Sequence, residues 1–242
     1  MRVAVVSDIH SNLHALEAVL ATIEAEAPDE LWCLGDLVGY GPRPNDCCTA
    51  VEALATISLC GNHDLGVLGE LDLAEFTGDA VVAARWTRDV LEDGPRRFLE
   101  SLRPAGRREA VELFHASPRD PVWEYVLSAE AAAAAFELTE AAVVLVGHSH
   151  VPLAISFDGE VLDGGVAPGG TSTELGGRRW LLNPGSVGQP RDGDPRAAWL
   201  LLDLEAWTAE WRRVPYDVEG AQSAILAAGL PESLAERLEY GQ

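Results

Sequence analysis

Runs of four to six apolar residues, each closing on residues able to bind a metal, recur through the first 150 positions and restrict the fold more than any other feature. AVVSDIH closes on Asp8 and His10, LWCLGD on Asp36, ISLCGNHD on Asn62 and His63, VELFH on His115, and VVLVGHSH on His148 and His150. Such runs are too short for helices and apolar at successive rather than alternate positions, which is the pattern of strands buried on both faces. In open α/β sheets, ligands collect beyond the carboxyl ends of the strands. These five ends hold five of the chain's six histidines.

Helical periodicity fills the gaps between the runs. Leu13, Leu16, Leu20 and Ile23 share one face of a helix predicted over about 12 to 27, with Pro28 just beyond its end. Strands over 2 to 7 and 31 to 34 flank it as a βαβ unit, and the loop GYGPRPND leads into a helix over about 45 to 54 and a strand over 56 to 59. Residues 64 to 105 show helix-like stretches and no strand pattern, and are predicted to form a helical lid or insert over the site. A strand over 111 to 114, an Ala-rich helix over 128 to 138 and a strand over 143 to 146 continue the alternation.

After His150 the pattern changes. Stretches 152 to 157, 180 to 183, 197 to 204 and 207 to 214 are predicted as consecutive strands of an antiparallel sheet, 163 to 177 as a flexible loop or hairpin connection, and 217 to 228 and 231 to 238 as two short helices. The class is α/β (α+β). At 242 residues the chain can bury roughly 70–75% of its unfolded surface as one domain, 1 to 242.

Composition excludes several functions. Seventeen basic residues, all arginine, against 39 acidic ones leave a net charge of −22, which repels long nucleic acid; a local funnel of arginines could still hold one small phosphate group. No apolar stretch is long enough for a membrane span, and the amino terminus, interrupted by Asp8, is read as a first strand. Cys33, Cys47, Cys48 and Cys60 form no C-x-x-C pair and are expected to be reduced, buried thiols of a cytoplasmic protein. A homo-oligomer is compatible with the sequence.

The strand-end residues suit a pair of divalent ions. Two ions about 3.5–4 Å apart need a shared carboxylate with nitrogen and oxygen ligands on either side. Asp36 is the natural bridge, and Asp8, His10, Asn62, His115, His148 and His150 complete two spheres. This mixed O/N set suits Mn²⁺, with Fe, Zn²⁺, Co²⁺ and Ni²⁺ as alternatives.

The ordered motifs D-x-H, G-D-x-x-G, G-N-H-D, a lone His and G-H-x-H resemble the calcineurin-like metallophosphoesterase superfamily, in its small prokaryotic phosphodiesterase-like branch. The resemblance implies a four-layer sandwich of two mixed β-sheets flanked by helices. It assigns Asp8, His10, Asp36 and His150 to one metal, and Asp36, Asn62, His115 and His148 to the other. It also implies hydrolysis by a hydroxide shared between the metals, with His63 as general acid and Asp64 helping to orient it. NPGSVGQPRDGDPRAAW resembles a further family feature, a rigid loop that could bring backbone amides and Arg191 or Arg196 to a phosphate.

One departure bears on the substrate. Phosphoprotein phosphatases of the superfamily carry an Asp-Arg pair where this chain has Gly39 and Tyr40. That favours a small phosphodiester or nucleotide phosphoanhydride over a phosphoprotein. Arg43 and Arg191 are the expected substrate contacts, ahead of Arg119 and Arg196, and Trp123 and Tyr125 are candidate pocket aromatics. His14 and the Arg97, Arg103, Arg107 and Arg108 group are read as solvent-facing. The competing functions are a non-catalytic metal-binding scaffold of the same fold and a phosphomonoesterase or protein phosphatase.

Overall fold

A computed structural model describes residues 1–242. The chain runs β1 (Arg2–Val6), α1 (Leu13–Glu26), β2 (Glu30–Cys33), α2 (Pro44–Leu54), β3 (Ile57–Ser58), α3 (Asn62–Leu68), α4 (Asp79–Val90), α5 (Asp93–Ser101), β4 (Ala105–Arg108), β5 (Val111–Phe114), α6 (Ala129–Glu137) and β6 (Val143–Leu145). It continues through β7 (Leu153–Phe157), β8 (Leu162–Val166), β9 (Ser172–Glu174), β10 (Arg179–Asn183), β11 (Ala197–Asp203), β12 (Thr208–Val214), α7 (Val218–Ala227) and α8 (Glu232–Tyr240). Two mixed six-stranded sheets result, ordered β3-β2-β1-β11-β12-β9 and β4-β5-β6-β10-β7-β8, with the eight helices flanking them.

Four layers explain the continuous apolar runs. In β1, Val3 and Val5 face the core between the sheets, while Ala4 and Val6 face the helical layer. In β6 the same alternation sends Val143 and Leu145 between the sheets and Val144 against α6. No strand residue of this kind can be polar without burying an unpaired group, so polarity is confined to the strand ends.

The ends finish level. In the first sheet Val6 is opposite Cys33, and Cys33 opposite Ser58, all in parallel pairing. In the second, Leu113 is opposite Leu145 and Leu145 opposite Leu182, again parallel. The loops bearing Asp8, Asp36 and Asn62 therefore leave one sheet where those bearing His115 and His148 leave the other.

Three elements differ from the sequence expectation. The strands after His150 do not form an antiparallel sheet of their own: β10 joins the second sheet between β6 and β7, while β11 and β12 complete the first. Segment 163 to 177 is not simply a loop, because β8 forms a hairpin with β7 and β9 pairs with β12. Arg107 and Arg108 are exposed, as expected, but lie on an edge strand, β4, that the sequence pattern did not show, with Arg108 reaching Glu30 at 2.6 Å. β4, β8 and β9 are short edge strands, β8 with two glycines, which leaves little local pattern, whereas β10 and β11 take partners from the first 150 residues, β6 and β1.

Segment 64 to 105 is helical apart from the start of β4. Leu73, Phe76, Ala80, Ala84, Leu91 and Leu99 belong to the main core beside α1 and α2. No helix of the protein is long and apolar enough to cross a membrane.

Candidate metal centre

The level strand ends need sharp turns to bring their side chains together. Asp8, His10, Asp36, His148 and His150 all adopt left-handed backbone, with φ between 49° and 60°. That region costs a non-glycine residue roughly 1–2 kcal/mol, and such strain persists only where the surroundings enforce it. The enforcement is visible in crossed backbone bonds: the N–H groups of Asp8, His10 and Ser11 donate to the carbonyls of Gly35, Asp36 and Leu37, and those of Val187 and Gly188 donate to Ser7 and Asp8.

The turns converge seven side chains into two buried groups sharing one carboxylate. Asp8, His10, Asp36 and His150 form the first, and Asp36, His115 and His148 the second. The Asn62 amide oxygen joins the second group, 3.3 Å from His115 Nε2. His10 and His115 Nε2 lie 3.6 and 3.5 Å from Asp36 Oδ2, and His150 Nε2 lies 3.4 Å from Asp8 Oδ1.

Backbone carbonyls set which nitrogen faces inward. Nδ1 of His10, His115 and His150 donates to Val38, Leu34 and Gln189 at 3.1, 3.0 and 2.6 Å. That fixes the lone pair on Nε2, as in metal-ligating histidines whose other nitrogen is anchored. His148 is reversed: its Nε2 donates to the Trp123 carbonyl at 3.1 Å, leaving Nδ1 with the lone pair.

Asp8 Oδ1, Asp36 Oδ2 and His63 Nδ1 are buried with no hydrogen-bond partner. Three such atoms in one place are costly unless a ligand satisfies them. Burial pushes Asp8 up to about 7 and Asp36 well above the carboxylate range. Burial likewise depresses His115 and His148 to about 3 and holds His10 and His150 well below the ordinary imidazole value. A set of neutral imidazoles and carboxylates with unused oxygens fits divalent cations.

His63 stands beside this set on the first turn of α3. Its backbone N–H donates to Asp36 Oδ1 at 2.9 Å, its ring lies 4.8 Å from His10 and 5.3 Å from Phe76, and burial, followed by the charge of Arg191, depresses it to about 3. Gly39 explains the free Nδ1. A Cβ at 39, where φ is +89°, would lie 2.6 Å from that atom, so no side chain can reach it from there. Tyr40 covers the ring instead, at 4.4 Å between centroids.

Asp64 has a different role from the one expected. Its carboxylate accepts from the backbone N–H groups of Val38 and Gly61 at 3.0 and 2.9 Å, binding the Asp36 loop to α3. It positions backbone rather than the His63 ring. In a helix, adjacent side chains point about 100° apart, which is why it faces away.

The candidate arginines separate. Arg43 is half exposed and bonds Asp46 at 2.8 Å, Arg119 is bound by Glu124, and Arg196 pairs with Asp194 at 2.6 Å. Arg191 instead donates to Gln189 at 2.9 Å and Tyr40 Oη at 3.4 Å, and its charge acts on Asp8, His10, His63, His148 and His150. Trp123 packs against Phe76, and half-exposed Tyr125 stacks on His148 at 4.1 Å. Arg237, on α8, was not legible as a site residue, because nearly forty positions separate it from the end of the nearest motif at Trp199; its guanidinium lies 5.9 Å from the Tyr40 ring centroid.

Comparison with known proteins agrees with this geometry. Residues 1–206 match the profile of the calcineurin-like phosphoesterase superfamily domain. An uncharacterized protein of Methanocaldococcus jannaschii is 39% identical over 246 residues, covering 99% of this chain and 98% of that protein. The crystal structure of a metallophosphoesterase from Sphaerobacter thermophilus superposes with a TM-score of 0.91 at 41% identity, covering 100% of both chains. A symmetrical bis(5'-nucleosyl)-tetraphosphatase of Psychromonas ingrahamii is 35% identical over 71 residues, 28% of this chain and 26% of that protein.

Proposed function

The chain belongs to the calcineurin-like phosphoesterase superfamily, and from that premise we propose that it is a dinuclear metal-dependent hydrolase of a phosphodiester or nucleotide phosphoanhydride. The supporting observation is the shared carboxylate: Asp36 belongs to both buried ligand groups and leaves Oδ2 unpartnered between them. Asp8, His10, Asp36 and His150 would hold one ion, and Asp36, Asn62, His115 and His148 the other. Two bound cations, with Mn²⁺ the first choice, supply an activated water and neutralise charge on the phosphoryl oxygens.

The protein's own groups complete the reaction. Arg191 adds positive charge beside the ligands, and its planar guanidinium can donate to two oxygens of a phosphate at once. The new P–O bond forms to the oxygen of a water that has released one proton to solvent, the bond to the leaving group breaks, and His63 gives the leaving oxygen its proton. His63 is neutral while the site holds no anion, since burial and Arg191 both disfavour its charge. An anionic phosphate beside it offsets the Arg191 charge and shifts His63 toward protonation. The absence of a side chain at Gly39 supports a small substrate, because no carboxylate steadies His63 as in the phosphoprotein phosphatases.

The substrate is a small phosphorylated molecule of the cytoplasm, a location supported by four buried, unpaired cysteines. The 71-residue likeness to a nucleosyl tetraphosphatase supports including phosphoanhydrides. A panel of phosphomonoesters, phosphodiesters and nucleotides, assayed with Mn²⁺, tests the reading. Turnover of a diester or anhydride, absent from His63→Ala with full metal content, is expected. No turnover above that variant on any substrate overturns it in favour of a metal-binding scaffold.

A further inference from the structure

Most of the surface of this protein repels anions, yet the approach to the metal centre holds two arginines whose partners carry no negative charge. Arg191, in the loop after β10, and Arg237, in the last turn of α8, both lie with their guanidinium carbons 5.9 Å from the centroid of the Tyr40 ring. Both also donate to one oxygen of a buried side chain, Gln189 Oε1, at 2.9 and 3.4 Å. Gln189 is tied to the metal centre in turn, its carbonyl accepting from His150 Nδ1 at 2.6 Å. Tyr40 is tied to it as well, packing 4.7 Å from His10 and 4.4 Å from His63.

Two like charges held by one amide oxygen and one ring repel each other; no hydrogen-bond partner of either arginine is anionic, and the carboxylates whose field reaches Arg191, Asp8 and Asp36, belong to the candidate metal ligands. A structural role would be served as well by one arginine, or by a carboxylate at position 189. We propose that Arg191 and Arg237 form a clamp for a second anionic group of the substrate, beyond the scissile phosphorus, so that the preferred substrate class is nucleoside polyphosphates rather than diesters with a single phosphate. The inference rests on reading the metal centre as hydrolytic. Arg191 faces the ligands, and Arg237 extends the positive surface outward along the chain of phosphates. Beyond about 8 Å the remaining acidic surface is screened at physiological ionic strength, so a local pair suffices to capture a polyanion.

The clamp also gives a purpose to the C-terminal helices, which lie beyond the matched family domain. Ile225, Leu230, Leu234 and Leu238 of the α7–α8 pair pack together with Ala83 of α4, and Tyr40 borders this cluster. That packing fixes α8 against the site, so Arg237 is presented from a rigid element.

Calorimetric binding to the Mn²⁺-saturated full-length protein tests the clamp without requiring turnover. The probes are adenosine 5'-(β,γ-methylene)triphosphate and AMP, applied to wild type, Arg237→Gln and Arg237→Lys. Glutamine keeps the stem over Tyr40 and removes the charge. Arg237→Gln is expected to lose at least tenfold affinity for the triphosphate, about 1.4 kcal/mol, and less than twofold for AMP. Arg237→Lys keeps the charge and should bind the triphosphate more tightly than Arg237→Gln, though below wild type, because lysine cannot reproduce the guanidinium stacked over Tyr40. Equal losses for both probes, no loss for either, or a lysine variant as weak as the glutamine one would overturn the clamp. If the wild type hydrolyses nothing while the selective loss is seen, the hydrolytic reading fails and the anion clamp stands.

Discussion

Gly61 tests how closely the ligand loops are packed. It precedes α3 with φ −109° and ψ −175°, ordinary for any residue, so alanine there adds no backbone strain and acts through its methyl group alone. That Cβ would overlap Asp36 Oδ1, lie 2.6 Å from Asp36 Cγ and lie 2.5 Å from His115 Cε1. Non-bonded carbons rest about 3.5–4.0 Å apart, so both side chains have to retreat by roughly 1 Å. Ligand distances tolerate only about ±0.2 Å, so such a shift takes the shared carboxylate and one imidazole out of range of the second ion.

Overpacking alone should cost about 1–3 kcal/mol. For a chain of this size that lowers the melting temperature by roughly 2–12 °C. The variant should also lose the metal-linked part, about 2.7 kcal/mol for an ion at one hundred times its Kd. Melting curves in EDTA and in Mn²⁺, with elemental analysis of the reconstituted protein, separate the two effects. Gly61→Ala is expected to melt lower in EDTA, gain less from Mn²⁺ and retain fewer ions. Gly94→Ala is the control, because nothing lies within 4 Å of its Cβ, and it should leave the melting temperature unchanged or raised. Wild-type melting and metal content in Gly61→Ala would refute the packing of Asp36 and His115 against residue 61.

Three further outcomes are expected. Mn²⁺ should raise the wild-type melting temperature by several degrees over EDTA, by satisfying Asp8 Oδ1 and Asp36 Oδ2; coincident curves would show that these groups bind no ion. Apparent metal affinity should rise as pH increases from about 5 through 7. With His115 and His148 at about 3, the imidazoles are already neutral there, whereas Asp8, at about 7, must lose its proton to bind; a flat calorimetric affinity profile over that range would contradict the burial of Asp8. Finally, Arg191→Gln should raise KM for the substrate tenfold or more while Arg43→Gln changes it less than twofold, since Arg43 is engaged by Asp46 at the surface. Equal effects would remove the distinction between them.

The chain spells out its ligands because the physics confines them. A strand buried on both faces can carry polar residues only at its ends, so Asp8, Asp36, His115 and His148 stand out in an otherwise apolar run. The βαβ alternation and the α/β class follow from the same patterning, as does the helical content of 64 to 105. The tertiary structure decided what spacing cannot encode. The placement of β10 between β6 and β7, of β11 beside β1 and of β9 beside β12 depends on partners far away in the chain, while the short edge strands β4 and β8 close local hairpins whose pattern is too weak to read.

The side-chain roles divide along the same line. That Asp64 holds backbone, that His148 presents the opposite nitrogen from the other histidines, and that Arg191 rather than Arg43 stays uncommitted to a carboxylate all depend on which groups lie within 3 to 4 Å. Arg237 is the extreme case, reaching Tyr40 across nearly two hundred positions. Sequence by itself determined which residues must gather at one edge, because burial leaves them nowhere else to go; only the packed structure decided which way each one points, because direction is set by neighbours that the chain brings from elsewhere.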